Sequence, residues 1–174
     1  MPRTIRPAES PERAPVSAEA PADEQSARVL RRFRLIFNAV KTHFRQVEKR
    51  AGIGGAQVWA LSVVEAQPGI GVGALARAMD VHQTTASNLV RALIAQGLLE
   101  SQRNGADRRA TQLQVTPDAR RILAKAPGPF SGVLPAALAR LDRETLARLE
   151  QDLGALLALL DADERAARIP LAQL

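Results

Sequence analysis

The stretch GALARAMDVHQTTASNLVRALIAQGLLESQRNGADRRATQLQV, residues 73–115, decides how this chain folds. It predicts a short helix over residues 73–79, followed by a turn at residues 80–81. A second helix is predicted over residues 83–96. Gly97 closes it, because glycine readily takes the left-handed conformation that is common after a helix. Two helices joined by so tight a turn are typical of a helix-turn-helix.

A β-hairpin is predicted after the second helix. Residues 98–101 and 110–115 have the pattern of two short strands. Asn104 and Gly105 between them are a strong turn signal, because both residue types tolerate positive φ angles. The order helix, turn, helix, hairpin predicts a protein that lays its second helix in the major groove of DNA and reaches sideways with the hairpin.

The second helix has two faces. Apolar residues at helical spacing form the stripe that we expect to be buried: Ala86, Leu89, Val90, Leu93 and Ile94. The other face is polar near the amino-terminal end, where a helix-turn-helix meets the bases: Gln83, Thr84, Ser87, Asn88 and Arg91. Asparagine and glutamine pair with adenine, and arginine pairs with guanine. Composition alone favours an ordinary solvated face, but the preceding helix and turn and the hairpin that follows favour a DNA-reading face.

The predicted hairpin carries Arg103, Arg108 and Arg109 around Asp107. Arginine at a narrow tip suits the minor groove, where the negative potential is strongest and the guanidinium loses its hydration at little cost. An unpaired Asp107 would repel phosphate, so its expected role is an ion pair with a neighbouring arginine. A plain charged turn is the alternative interpretation.

Helical patterns flank this stretch on both sides. From Ser26, apolar residues at helical spacing predict one helix of about seven turns. Its other faces carry a net charge of +7 between Ser26 and Arg50, which suits DNA phosphates, an anionic effector or plain solvation. A second helix is predicted over residues 56–66, and Thr116 caps another. Over residues 142–160, leucines near heptad spacing predict a last helix that packs against another helix or a partner chain.

The composition fits one aliphatic, mainly helical domain. Apolar residues make up 46% of the 174 residues and aromatic residues only 3%. A net charge of +6 and a pI near 11.1 point to a polyanionic partner. The chain has no Cys and only two His, so disulfides are excluded and neither a metal nor another cofactor is expected. It shows no membrane-spanning run, no secretion signal and no catalytic grouping, so we expect a soluble, cytoplasmic protein that is not an enzyme and has no membrane partner.

The run from Ala74 to Leu123 resembles the winged helix-turn-helix of the MarR family of bacterial transcription regulators. The matching motifs are Leu75-Ala76, Thr85-Ala-Ser87-Asn-Leu-Val-Arg91-Ala-Leu93, Gly97-Leu-Leu99, Asp107-Arg-Arg109 and Val115-Thr116. The Asp-x-Arg pair followed six residues later by an aliphatic-Thr dipeptide is the most distinctive of them. With the flanking helices, the resemblance covers about residues 26–160. The family often has Gly where Ala119 stands and a capping Ser where His82 stands, so His82 is expected to contact phosphate instead.

The resemblance implies a mainly α fold with a small β-hairpin wing, dimerised through its N- and C-terminal helices. Such a homodimer binds a pseudo-palindromic operator in double-stranded DNA, usually as a repressor, until a small aromatic or anionic ligand releases it. The residues implied to contact DNA are His82, Gln83, Thr84, Thr85, Ser87, Asn88, Arg91, Arg103, Asp107, Arg108 and Arg109. His43, Phe44 and Trp59 are candidates to line the ligand cleft, with core packing as the alternative for each.

The chain is therefore expected to have four parts. Residues 1–25, rich in Pro, Ala, Glu and Ser, form a disordered tail. Residues 26–54 form the N-terminal dimerisation helix, residues 55–123 the DNA-binding lobe, and residues 124–174 the C-terminal dimerisation helices. A helical adaptor that binds a partner protein and DNA only weakly is the alternative function, and a steep salt dependence of DNA affinity would argue against it.

Overall fold

A computed structural model describes residues 24–103 and 111–173 of the chain. These residues form seven α-helices, two antiparallel β-strands and two short 3₁₀ helices. In chain order they are α1 (Glu24–Ala51), α2 (Gly55–Ala66), α3 (Val72–Ala78), α4 (Gln83–Ala95), β1 (Leu99–Arg103), β2 (Thr111–Val115), α5 (Pro117–Lys125), α6 (Val133–Leu138), α7 (Arg143–Leu159), and the 3₁₀ helices Glu164–Arg168 and Leu171–Gln173. None of the described helices is both long and apolar enough to cross a membrane. The predicted fold class, mainly helical with a small two-stranded sheet, is confirmed.

Residues 55–123, called the lobe below, have an aliphatic core that joins five consecutive elements. Each element supplies a leucine that is at most 2% exposed: Leu61 of α2, Leu75 of α3, Leu93 of α4, Leu99 of β1 and Leu113 of β2. Burying one such side chain stabilises the fold by roughly 1.5–3 kcal/mol relative to leaving it exposed. Because α4 and both strands share this core, the surface of α4 and the base of the hairpin are held in one fixed arrangement.

The two strands pair antiparallel with Leu99 opposite Val115. The loop between α2 and α3 is joined to β2 by two backbone hydrogen bonds. The Gly69 N–H donates to the carbonyl oxygen of Leu113 at 2.9 Å, and the Leu113 N–H donates to the carbonyl oxygen of Ile70 at 3.1 Å. The hairpin is therefore fastened to the helices by backbone hydrogen bonds as well as by side-chain packing.

Thr116 joins the end of the hairpin to the start of α5. Its Oγ1 accepts the Ala119 N–H at 3.3 Å, so the predicted N-cap is confirmed. The same hydroxyl donates to the carbonyl oxygen of Gly97 at 3.0 Å, at the end of α4. With only 8% of its surface exposed, Thr116 fixes both ends of the hairpin to the lobe.

Helix α7 differs from the helices of the lobe because none of its residues is buried. The Asp142 carboxylate caps its first turn by accepting the backbone N–H and the hydroxyl of Thr145, both at 2.8 Å. These two hydrogen bonds favour the charged carboxylate and hold the pKa of Asp142 below its usual value. Large apolar side chains stay exposed near the end of α7: Leu153, Leu157, Leu159 and Leu160.

The amino-terminal half of α1 also exposes apolar side chains. The largest exposed ones are Val29, Leu30, Leu35, Ile36 and Phe37, whereas the buried residues of α1 begin only at Val40. An ordinary helix of a globular domain buries its apolar stripe along its whole length. Two helices of this chain therefore leave an apolar face without a partner among the described residues.

The chain turns back towards the lobe after α7. Asp161 takes a φ of 47°, a left-handed conformation that ends the helix and reverses the chain direction. Residues 161–173, called the C-terminal segment below, bring the 3₁₀ helix Leu171–Gln173 against α1 and α2. The sequence pattern does not predict this return, because its contacts join residues that are far apart in the chain.

Candidate nucleic-acid interface

A tight turn joins α3 to α4 and orients both helices. Asp80 has a φ of 48°, a conformation that aspartate tolerates better than most residues. The Val81 N–H donates to the carbonyl oxygen of Ala76 at 3.0 Å, and the side chains of Met79 and Val81 are buried. The turn is thus held from inside the lobe, as a helix-turn-helix requires.

The inner face of α4 is buried largely as the sequence predicts. Ala86, Leu89, Val90 and Leu93 are all at most 6% exposed. Ile94 was predicted to join this stripe, but it is 39% exposed, so that prediction is wrong. Ile94 follows Leu93 by one residue, about 100° around the helix, and that rotation carries it off the centre of the buried face.

The outer face of α4 presents the polar side chains that the sequence singles out. Four of them are exposed, namely Gln83, Thr84, Asn88 and Arg91, while Thr85 and Ser87 are half-buried. The Arg91 guanidinium donates a hydrogen bond to the Asn88 Oδ1. One helix face therefore offers amide and guanidinium groups with the donors and acceptors that base edges in the major groove require.

His82 stands at the N-cap position of α4 but does not cap the helix with its side chain. Its backbone is extended, with φ −62° and ψ 145°, and its ring is half-buried. The ring Nε2 lies 3.4 Å from the carbonyl oxygen of Arg165 in the C-terminal segment. His82 is thus at the edge of the α4 surface, next to a part of the chain that the sequence does not associate with it.

The base of the wing is described, but its tip is not. The backbone of Arg103 pairs with that of Thr111 at the last rung of the sheet. The side chain of Arg103 and the predicted wing residues Asp107, Arg108 and Arg109 lie outside what the structure describes. Their roles at the minor groove stay predictions from the sequence.

Of the three residues expected to line a ligand cleft, His43 and Phe44 are in contact with each other, whereas Trp59 packs elsewhere. His43 and Phe44 are both buried, with their rings edge to face at 5.2 Å, and the His43 Nε2 lies 2.9 Å from the carbonyl oxygen of Pro129. Trp59 is half-buried against the core of the lobe. Phe44 alone of the three borders the cavity of about 340 Å³ beside α1.

That cavity is mainly apolar, with charged groups around it. Its lining residues are Ile36, Phe37, Val40, Lys41, Phe44, Arg45, Glu48, Leu134, Leu171 and Ala172. The carboxylate of Glu48 lies within 3.4 Å of the Gly55 N–H, at the start of α2. Lys41 and Arg45 give the cavity a net positive charge, which suits a small apolar ligand with an anionic group.

Part of this sequence matches a known protein family. A sequence model of the MarR family matches residues 51–110, which include α3, α4 and β1. No curated protein matches the sequence.

Three solved structures share the fold at low sequence identity. A MepR-like protein complexed with pseudoligands superposes with a TM-score of 0.54 at 18% identity, covering 78% of this chain and 97% of that one. The MepR–DNA complex of S. aureus superposes with a TM-score of 0.52 at 20% identity, covering 76% and 97%. A MarR family transcription regulator superposes with a TM-score of 0.51 at 19% identity, covering 79% and 91%. The chain thus carries the family's sequence match over its helix-turn-helix and has the family's fold, which confirms that it resembles the MarR family of winged helix-turn-helix transcription regulators.

Proposed function

We propose that this protein is a sequence-specific, double-stranded-DNA-binding transcription regulator that acts as a homodimer on a pseudo-palindromic operator. The observation that carries the proposal is the two-sided surface of α4. Its inner face is buried in the lobe, whereas Gln83, Thr84, Asn88 and Arg91 project from the outer face beside the hairpin. The fold shared with S. aureus MepR, whose structure is a complex with DNA, supports the same function.

Each part of the interface has a distinct role in this proposal. The outer face of α4 reads base edges in the major groove, because its amide and guanidinium groups match adenine and guanine. The arginines Arg103, Arg108 and Arg109 of the wing enter the minor groove, with Asp107 paired to one of them. Basic side chains elsewhere supply salt-dependent affinity for phosphate.

The homodimer is proposed from the apolar faces that the single chain leaves exposed. A monomer rarely exposes a large contiguous apolar patch, and such patches mark interaction surfaces. The two helices that the family resemblance implies for dimerisation both carry exposed apolar side chains, namely Leu153 and Leu157 on one face of α7 and the exposed apolar residues of α1. A symmetric dimer would present two copies of α4 to two operator half-sites.

The proposal also includes repression and its relief by a ligand. Relief of repression by a ligand needs a site whose occupation alters the DNA-binding form, and the cavity beside α1 adjoins one of the proposed dimerisation helices. Its apolar wall and the side chains of Lys41 and Arg45 suit a small aromatic or anionic ligand. We also propose that the protein acts in the cytoplasm. The proposal includes no enzymatic activity.

The proposed function is tested by titrating a labelled duplex from upstream of the protein's own gene and a scrambled duplex of equal length. We expect tighter binding to the upstream duplex. The logarithm of the affinity should fall linearly with the logarithm of the salt concentration, with a slope of about −0.9 for each phosphate contact. Equal, salt-insensitive binding to both duplexes would instead favour a helical adaptor for a partner protein. The titration is then repeated with a panel of small aromatic acids, and failure of all of them to release the duplex would count against the relief mechanism.

A further inference from the structure

The C-terminal segment lies beside the DNA-facing surface of α4. The carbonyl oxygen of Arg165 approaches the ring of His82 at the start of α4. Further along, Ala172 and Gln173 form one side of a groove of about 360 Å³ whose other side includes Thr85 and Asn88. Two separate parts of the segment therefore border the helix on which DNA recognition depends.

The segment is anchored at its end. Pro170 is buried, and Leu171 and Ala172 are half-buried. Gly55 leaves space for this packing, because a Cβ atom there would lie only 3.3 Å from the Ala172 Cβ. Such close fits indicate a docked segment with a defined position.

The part of the segment next to His82 exposes two cations. Arg165 and Arg168 lie on the 3₁₀ helix Glu164–Arg168, and the side chains of both are exposed. The segment does not cover the base-reading face, since Gln83 and Asn88 remain exposed. It thus borders the interface without closing it.

We propose that the C-terminal segment is a further part of the DNA interface, in which Arg165 and Arg168 contact phosphates that flank the bases read by α4. This inference rests on the proposed function. The preceding acidic residues stay charged, but the Asp163 carboxylate accepts the Arg165 N–H at 2.9 Å and caps the 3₁₀ helix, which holds it against the backbone while the side chains of Arg165 and Arg168 are exposed.

The experiment compares full-length variants on the upstream and scrambled duplexes over a range of salt concentrations. In R165A/R168A, the slope of log affinity against log salt should decrease in magnitude by about 3.6, because the homodimer loses two contacts in each protomer. The affinities for both duplexes should fall by the same factor, because phosphate contacts carry no sequence information. R165K/R168K should restore most of the affinity, since lysine keeps the charge. The control, R140A/R143A, removes two exposed arginines, one before α7 and one at its first position, and should leave the slope unchanged.

The outcomes separate this inference from the proposed function. If the wild-type protein does not prefer the upstream duplex, the proposed function itself fails. If wild type binds as expected but R165A/R168A binds with unchanged slope and affinity, only the role of the segment is overturned. Tighter binding by R165A/R168A would also overturn it, because the segment would then obstruct DNA. Equal losses in R165A/R168A and in the control would show that overall charge matters, and this result too would contradict the inference.

Discussion

Replacing Leu157 by alanine tests whether α7 is part of a dimer interface. Leu157 belongs to the near-heptad leucines of α7 and is 52% exposed in the single chain. Because no residue of α7 is buried, the substitution should change the stability of the monomer by no more than about 0.5 kcal/mol. Any large effect must therefore appear in association between chains.

The size of that effect follows from the exposed fraction. Burying a whole leucine side chain contributes roughly 1.5–3 kcal/mol, so covering the exposed half contributes roughly 0.8–1.5 kcal/mol in each protomer. A symmetric interface contains the residue twice, and alanine keeps part of the contact. The dimer should therefore lose roughly 1–2 kcal/mol, which raises the dissociation constant roughly 5- to 30-fold.

Sedimentation equilibrium measures that dissociation constant, and Leu159→Ala is the matched control. Leu159 is on the same helix and is 84% exposed, but it lies two residues away, about 200° around the helix from Leu157. We expect Leu159→Ala to dimerise like the wild type. Equal dissociation constants for the two variants, or a wild-type protein that remains monomeric at high concentration, would refute the assignment of this face.

Three further predictions concern stability and DNA binding. Thr116→Val removes a buried hydroxyl that caps α5 and bonds to Gly97, so thermal or urea unfolding should show a loss of roughly 1–3 kcal/mol; unchanged stability would mean that the hydroxyl is not used as described. The pKa of Asp142 is lowered in the folded state, so this group stabilises the protein above its unfolded pKa and the contribution is lost as pH falls through the folded pKa. In Asp142→Asn, the free energy of unfolding should therefore fall less steeply as the pH is lowered. A fall as steep as that of the wild type would contradict this cause. Arg109→Ala should weaken operator binding at least ~10-fold with the dimer intact, and unchanged binding would remove Arg109 from the interface.

Local signals made much of the lobe predictable. The helical spacing of apolar residues located α4, and Gly97 closes it with a φ of 69°, as a glycine after a helix predicts. Thr116 caps α5 because its side chain reaches a backbone group three residues ahead, an interaction that is encoded within a few positions.

Contacts between distant parts of the chain could not be predicted from such local signals. The pairing of Ile70 with Leu113 and the packing of Ala172 near Gly55 depend on how helices meet in space, which spacing along one helix does not reveal. Periodicity also failed at the end of α4, where it assigned Ile94 to the buried stripe. The position of the C-terminal segment beside α4 was therefore found only from the structure.

The central claim is that the outer face of α4 reads DNA sequence, and Asn88→Ala tests it most directly. The ratio of affinities for the upstream and scrambled duplexes is measured by fluorescence anisotropy for wild type, Asn88→Ala and the control Gln96→Ala. Both residues are exposed, but Gln96 follows the carboxy-terminal end of the helix. Loss of a bidentate base contact costs roughly 1–3 kcal/mol in each half-site, so Asn88→Ala in both protomers should lower the ratio at least ~30-fold while Gln96→Ala keeps it. An Asn88→Ala protein that folds and discriminates between the duplexes as well as the wild type would contradict the claim.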